Sequence, residues 1–180
     1  MGHLARRQVL GGIGAALLLP GRVLAADSAT PEGAIPDDEL KAIEILHNSR
    51  AAFEAAPRRS EQGKVWQKVF DALKKAGIGP DVTGWIGRFL ESQHDERQAN
   101  VTVQIGQNIF GVTANLTSLT DTEETLLMAG SRLYAKAESL ARGDVVRFSA
   151  TLISGLLQSP DPGQLQALLF MRFTALEKVQ

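Results

Sequence analysis

Val82-Thr83-Gly84-Trp85-Ile86-Gly87-Arg88-Phe89-Leu90 and, beyond a polar stretch, Val101-Thr102-Val103-Gln104-Ile105 decide how this chain folds. In the second segment Val101, Val103 and Ile105 alternate with polar residues, the period of a strand with one buried face. The first carries Trp85 and Phe89 but is interrupted by Gly84 and Gly87, which predicts a bulged or sharply curved strand. Between the two, His94-Asp95-Glu96-Arg97-Gln98 reads as a charged hairpin loop.

Towards the C-terminus, Ile109 to Leu119 is a third, less regular strand candidate. Ser131 then starts a short helix carrying Leu133, Tyr134, Ala137 and Leu140, ended by Gly143. Asp144 to Ile153 follows as a strand, and Leu168 to Leu176 as the last. Three strands, a helix and two strands is the order of an OB-type barrel, which bends a short sheet onto itself and uses glycines such as Gly84, Gly87 and Gly111 where it curves. The expected class is therefore α+β, a five-stranded OB-like β-barrel with a helix between strands three and four.

The chain resembles the tRNA-anticodon-like OB-fold family of bacterial proteins, many of them exported. The resemblance spans about residues 82–176. It is carried by Gly84-Trp85-Ile86-Gly87, Val101-Thr102-Val103-Gln104-Ile105, Gly130-Ser131-Arg132-Leu133-Tyr134, Gly143-Asp144-Val145-Val146-Arg147-Phe148-Ser149-Ala150 and Phe170-Met171-Arg172-Phe173. These motifs specify a shape, so the resemblance implies a fold and no reaction. The basic and aromatic clustering that tRNA binding requires is missing from them.

Upstream of the barrel, Asp37 and Asp38 occupy N-cap and first-turn positions, and Leu40, Ile43, Leu46 and Phe53 recur at near-helical spacing up to Pro57. A second helix opens at Ser60-Glu61, carries Val65, Trp66, Val69, Phe70 and Leu73 on one stripe, and closes on Lys74-Lys75 and Gly77. The two form a helical hairpin over 37–79, ahead of a barrel domain over 80–180, and residues 27–36 read as a disordered spacer.

Residues 1–26 read as an export signal, with Arg6-Arg7, an apolar run from Val9 to Leu19, and small residues around Ala25-Ala26 for cleavage. The paired arginines, the glycine-diluted core and Arg22 resemble a twin-arginine signal, although Ala5 and Gly11 depart from that pattern and leave the general secretory route open. The run is too short to span a bilayer. Cleavage would leave a periplasmic or secreted protein without a stable membrane anchor. Gly12-Ile13-Gly14 lacks the preceding strand of a dinucleotide fingerprint and belongs to the signal.

With 19 basic and 20 acidic residues the formal charge is −1. Loss of Arg6, Arg7 and Arg22 with the signal takes the mature chain to near −4. Phosphate-backbone binding draws on a basic surplus, so nucleic acid is a disfavoured partner. The chain has no Cys, which excludes disulfides, thiolate metal sites, a thiol nucleophile and a lipidated cysteine.

No catalytic motif stands out, no cofactor or metal is expected, and the chain is read as a non-enzyme. His47 is a helix-flank residue, and His94 with Asp95 and Glu96 lacks a second histidine at metal-binding spacing. Asp121, Glu123 and Glu124 form an acidic turn without EF-hand spacing. Arg142-Gly143-Asp144 is what a helix end followed by a strand entry supplies. Trp85, Phe89, Phe148, Phe170 and Phe173 sit at core positions. Arg88, Arg147 and Arg172, each beside aromatics on a strand, are the candidate ligand-binding residues, able to make an anion or carboxylate site if they share one face. The expected function is that of an exported binding protein of the cell envelope with a protein partner, or alternatively a binder of a small anionic ligand or glycan through the arginines.

Overall fold

The computed structural model describes residues 35–56, 58–113, 125–158 and 165–179. The export signal, most of the spacer, residues 114–119 of the third strand candidate and the acidic turn at Asp121, Glu123 and Glu124 lie outside the described residues. Within them the chain forms α1 (Asp37–Glu54), α2 (Arg59–Lys75), β1 (Asp81–His94), β2 (Gln98–Gly106), β3 (Ile109–Val112), β4 (Leu127–Met128), α3 (Arg132–Ser139), β5 (Val145–Gln158) and β6 (Gln166–Lys178).

Five of these strands close into a barrel in the order β1-β2-β3-β6-β5 and back to β1. The β3–β6 pair is parallel, with Phe110 opposite Leu168, and the other four pairs are antiparallel. This is the expected OB-like barrel, with α3 between its third and fourth strands. The two-residue β4, which the sequence does not announce, is an extra strand paired with Gln98 and Ala99 at the start of β2.

The curvature of β1 comes from the glycines named above. Its pairing with β5 shifts register between Val82 and Trp85, and Gly84 there has φ +73°, a left-handed conformation that glycine adopts without strain. At Gly87 a Cβ would run into the Val103 side chain and come within 2.9 Å of the Gln104 carbonyl, so only glycine lets β1 and β2 close. Inside the barrel Trp85, Phe148 and Phe173 meet edge to face, with ring centroids 6.3 Å and 5.4 Å apart, and Val101, Val103, Val146 and Met171 fill the space around them.

Helices close both ends. α3 covers the end where β2 and β5 start and β6 finishes, burying Ala137 and packing Leu133, Tyr134 and Leu140 on the core. Ser131 caps it, its Oγ accepting from the Tyr134 N–H at 3.1 Å. The α1–α2 hairpin covers the opposite end, and its Ala42, Leu46, Phe53, Trp66, Val69 and Leu73 belong to the same hydrophobic core as the barrel residues. Trp66 lies flat on Gly155 of β5, where a Cβ would come within 2.6 Å of the indole, and stacks edge to face with Phe53 at 5.4 Å. α2 ends as its sequence predicts. Gly77 is left-handed, its N–H donates to Lys74 O and the Ile78 N–H to Leu73 O, the paired bonds of a Schellman cap.

α1 departs from its expected face only in its first turn. Ile43, Leu46 and Phe53 of the expected stripe pack inward, whereas Leu40 is 49% exposed and Glu39 and Ala42 are buried. Its N-cap is Pro36 rather than an aspartate, with no side-chain cap. The cause is tertiary: the first turn is anchored to β1 by its acids, Asp38 to the Trp85 indole and Glu39 to the Ile86 N–H.

Candidate functional site

The three arginines fall on the outer surface of the barrel. Alternation fixes this, because the residues between them, Phe89, Val146, Phe148, Met171 and Phe173, point into the core. Arg147 is exposed and stands opposite Ile86 of β1 and Glu177 of β6. Arg88 is half-buried opposite Val145, with its Nη1 donating to the Gly143 carbonyl at 3.1 Å. Arg172 is half-buried opposite Thr151, four residues along β5 from Arg147 and so roughly 13 Å away at the backbone. Arg88 and Arg147 are diagonal neighbours, whereas Arg172 stands in a separate row. The strip can present positive charge to an extended anion, with Glu177 beside it as a competing carboxylate.

His94 is exposed at the end of β1, where its Nε2 lies 2.6 Å from Ser92 Oγ and its ring meets Tyr134 edge to face at 4.9 Å. Asp95 does not support it as a catalytic acid, since Oδ1 accepts from the Arg97 and Gln98 N–H groups and closes the hairpin turn. Those two bonds hold the Asp95 carboxyl below its ordinary pKa. His47 is exposed on α1, as expected of a flank residue. Among the described residues no group of three or more His, Asp or Glu side chains is placed to share a metal ion. Gly143 is left-handed (φ +95°) between α3 and β5, and Asp144 accepts from Ala141 N and pairs with Lys178 at 2.7 Å, so this tripeptide serves the chain reversal.

The most unusual chemistry lies where α1 meets β1. Glu39 has no exposed surface, and its Oε2 accepts from the Ile86 N–H at 2.8 Å. Beside it Asp38 Oδ2 accepts from the Trp85 indole N–H at 3.0 Å. Ile86 needs this partner because β2 pairs with β1 only from Arg88 onward. The Phe89 N–H points to β5, bonding Asp144 O, so by alternation the Ile86 N–H points to the edge that β2 leaves uncovered. A carboxyl group thus stands in for the missing strand. Burial pushes the Glu39 pKa up from 4.5 to about 8; the Ile86 bond opposes this and the neighbouring Asp38 adds to it. Its second oxygen, Oε1, is buried without a hydrogen-bond partner among the described residues.

Glu39 is not among the residues that the sequence pattern singles out. A signal was present: a glutamate at the third helical position normally reaches back to the N-cap N–H, and Pro36 has none to offer. Comparison with protein-family models and with curated proteins finds no match for this chain.

Proposed function

We propose that the protein is an exported, non-enzymatic binding module of the bacterial cell envelope, engaging a protein partner through its outer surface. The observation that carries this reading is the filled barrel: Trp85, Phe148, Phe173 and Met171 occupy the interior, and helices cover both ends, which leaves recognition to the outside. The outward face of the hairpin, with Lys41, Glu44, His47 and the exposed Leu40, is the surface favoured for the partner. Export is supported by the segment from Arg6 to Ala26. Membership of the tRNA-anticodon-like OB family is part of the proposal and rests on strand order.

The test is capture from an envelope extract with the mature chain from residue 27 as bait, beside the same bait carrying Lys41→Glu and Glu44→Lys. One protein enriched by the first bait, lost with the second, and binding again as purified components is the expected result. Enrichment indifferent to the two changes removes the hairpin from the reading, and no enrichment overturns the partner.

A second reading, a binder of a small anionic ligand or glycan, is favoured by the shared outer face of Arg88, Arg147 and Arg172. It predicts that an anion or sugar raises the melting temperature by mass action, and that Arg147→Ala and Arg172→Ala each diminish the rise. A rise unchanged in both variants would count against it.

A further inference from the structure

We infer that the junction of α1 with β1 is a proton-operated latch: Glu39 holds the helical hairpin against the barrel as the neutral acid, and its ionisation releases the first turn of α1 from Trp85 and Ile86. The geometry is one-sided. One carboxyl oxygen is bonded to the Ile86 N–H, and the other is enclosed with no partner among the described residues. A neutral hydroxyl in that position forfeits one hydrogen bond, whereas a buried charge without a counter-ion costs far more, so the docked state favours the proton.

The charged groups around the junction do not reverse this. Asp38, on the same turn, is of like sign and is held by the Trp85 indole. On β1, Arg88 is turned to the Gly143 carbonyl, and Asp81 accepts from the Thr151 hydroxyl. On β5, Arg147 stands opposite Ile86 with its side chain exposed to solvent. The raised pKa of Glu39 places its titration near the mildly alkaline range. Once Glu39 is charged, water reaches its carboxylate only if the first turn lifts from β1, which also frees Asp38 from Trp85. The α3 end holds no equivalent buried acid among the described residues.

The experiment follows amide hydrogen exchange by NMR in the mature chain, at pH 6 and pH 9 and normalised to the intrinsic base-catalysed rate, for the wild type and Glu39→Gln. Protection of the Ile86 amide and of the first turns of α1 is expected to fall roughly tenfold or more in the wild type and to hold in Glu39→Gln, while Tyr134 at the α3 end responds in neither. Equal loss in both proteins, or no loss in the wild type, overturns the latch. Should Glu39→Gln fail to fold, the carbon-13 shift of the wild-type Glu39 carboxyl decides: titration well above the ordinary carboxylate range supports the latch, and titration within it refutes it.

Discussion

The two ends of the barrel are closed in opposite ways. At the α3 end the named polar groups are paired locally: Ser131 caps the helix, the Tyr134 hydroxyl donates to Asp95 O at 3.0 Å, and Asp144 binds both Ala141 N and Lys178. At the hairpin end two buried polar atoms, Glu39 Oε1 and Trp66 Nε1, have no partner among the described residues. That end is held by apolar area. A buried indole removes on the order of 200 Å² from water, worth about 5 kcal/mol, which outweighs the ~1–3 kcal/mol of an unsatisfied polar atom. Both ends bury apolar side chains, but at the hairpin end that burial must also offset the buried polar atoms that no described residue pairs.

The two ends are expected to differ most when the hairpin is removed or its anchor cut. Deleting residues 37–77 takes Trp66, Phe53 and the other hairpin core residues with it, and the remaining barrel is expected to lose its cooperative thermal transition. Trp66→Ala alone should cost about 3–5 kcal/mol in urea denaturation. A barrel that melts unchanged in either case would show the two ends to be independent.

The next effect is a pH dependence confined to the hairpin end. Glu39 is shifted upward by folding, so the native state holds its proton more tightly than the unfolded chain. Stability from this group is complete below about 4.5, declines as pH rises, and is fully lost above about 8, a change on the order of 4 kcal/mol. Denaturation midpoints measured across that range should fall in the wild type and fall much less in Glu39→Gln.

At the α3 end smaller numbers are expected. Ser131→Ala removes the cap and should cost about 1 kcal/mol, read as a shift in denaturation midpoint with unchanged slope. Lys178→Met should move stability least of all, because Lys178 is 58% exposed and its pairing with Asp144 is screened by solvent. Its signature is instead in acid. The Asp144 carboxyl is held below its ordinary pKa, first by Lys178 and then by Ala141 N, so its contribution is present above the unfolded carboxylate range and lost as pH falls. Lys178→Met should flatten that acid limb.

Much of this architecture was legible in the residues. Val101, Val103 and Ile105 on alternate positions, the glycines of the first strand and the Ser131 cap are local patterns whose meaning does not depend on what they pack against. The outward placement of the arginines followed from the same alternation. Leu40 and Glu39 show where local reading fails. Both faces of the first turn of α1 are plausible as the inward one by sequence, and a buried glutamate is chosen only because Ile86 has an unpaired N–H that no strand reaches. Likewise Trp66 was recognisable as apolar, but its seat on Gly155 joins residues far apart in the chain.

The sequence by itself determined the order of strands and helices along the chain and the presence of two helices upstream, because hydrophobic periodicity and turn chemistry act over a few residues. Only the tertiary structure decided that the barrel closes, which end the hairpin covers, which residues of the first turn of α1 face inward and that a carboxyl group completes the edge of β1. Those outcomes depend on desolvation and on which backbone groups the barrel leaves unpaired, and neither exists until distant segments have met.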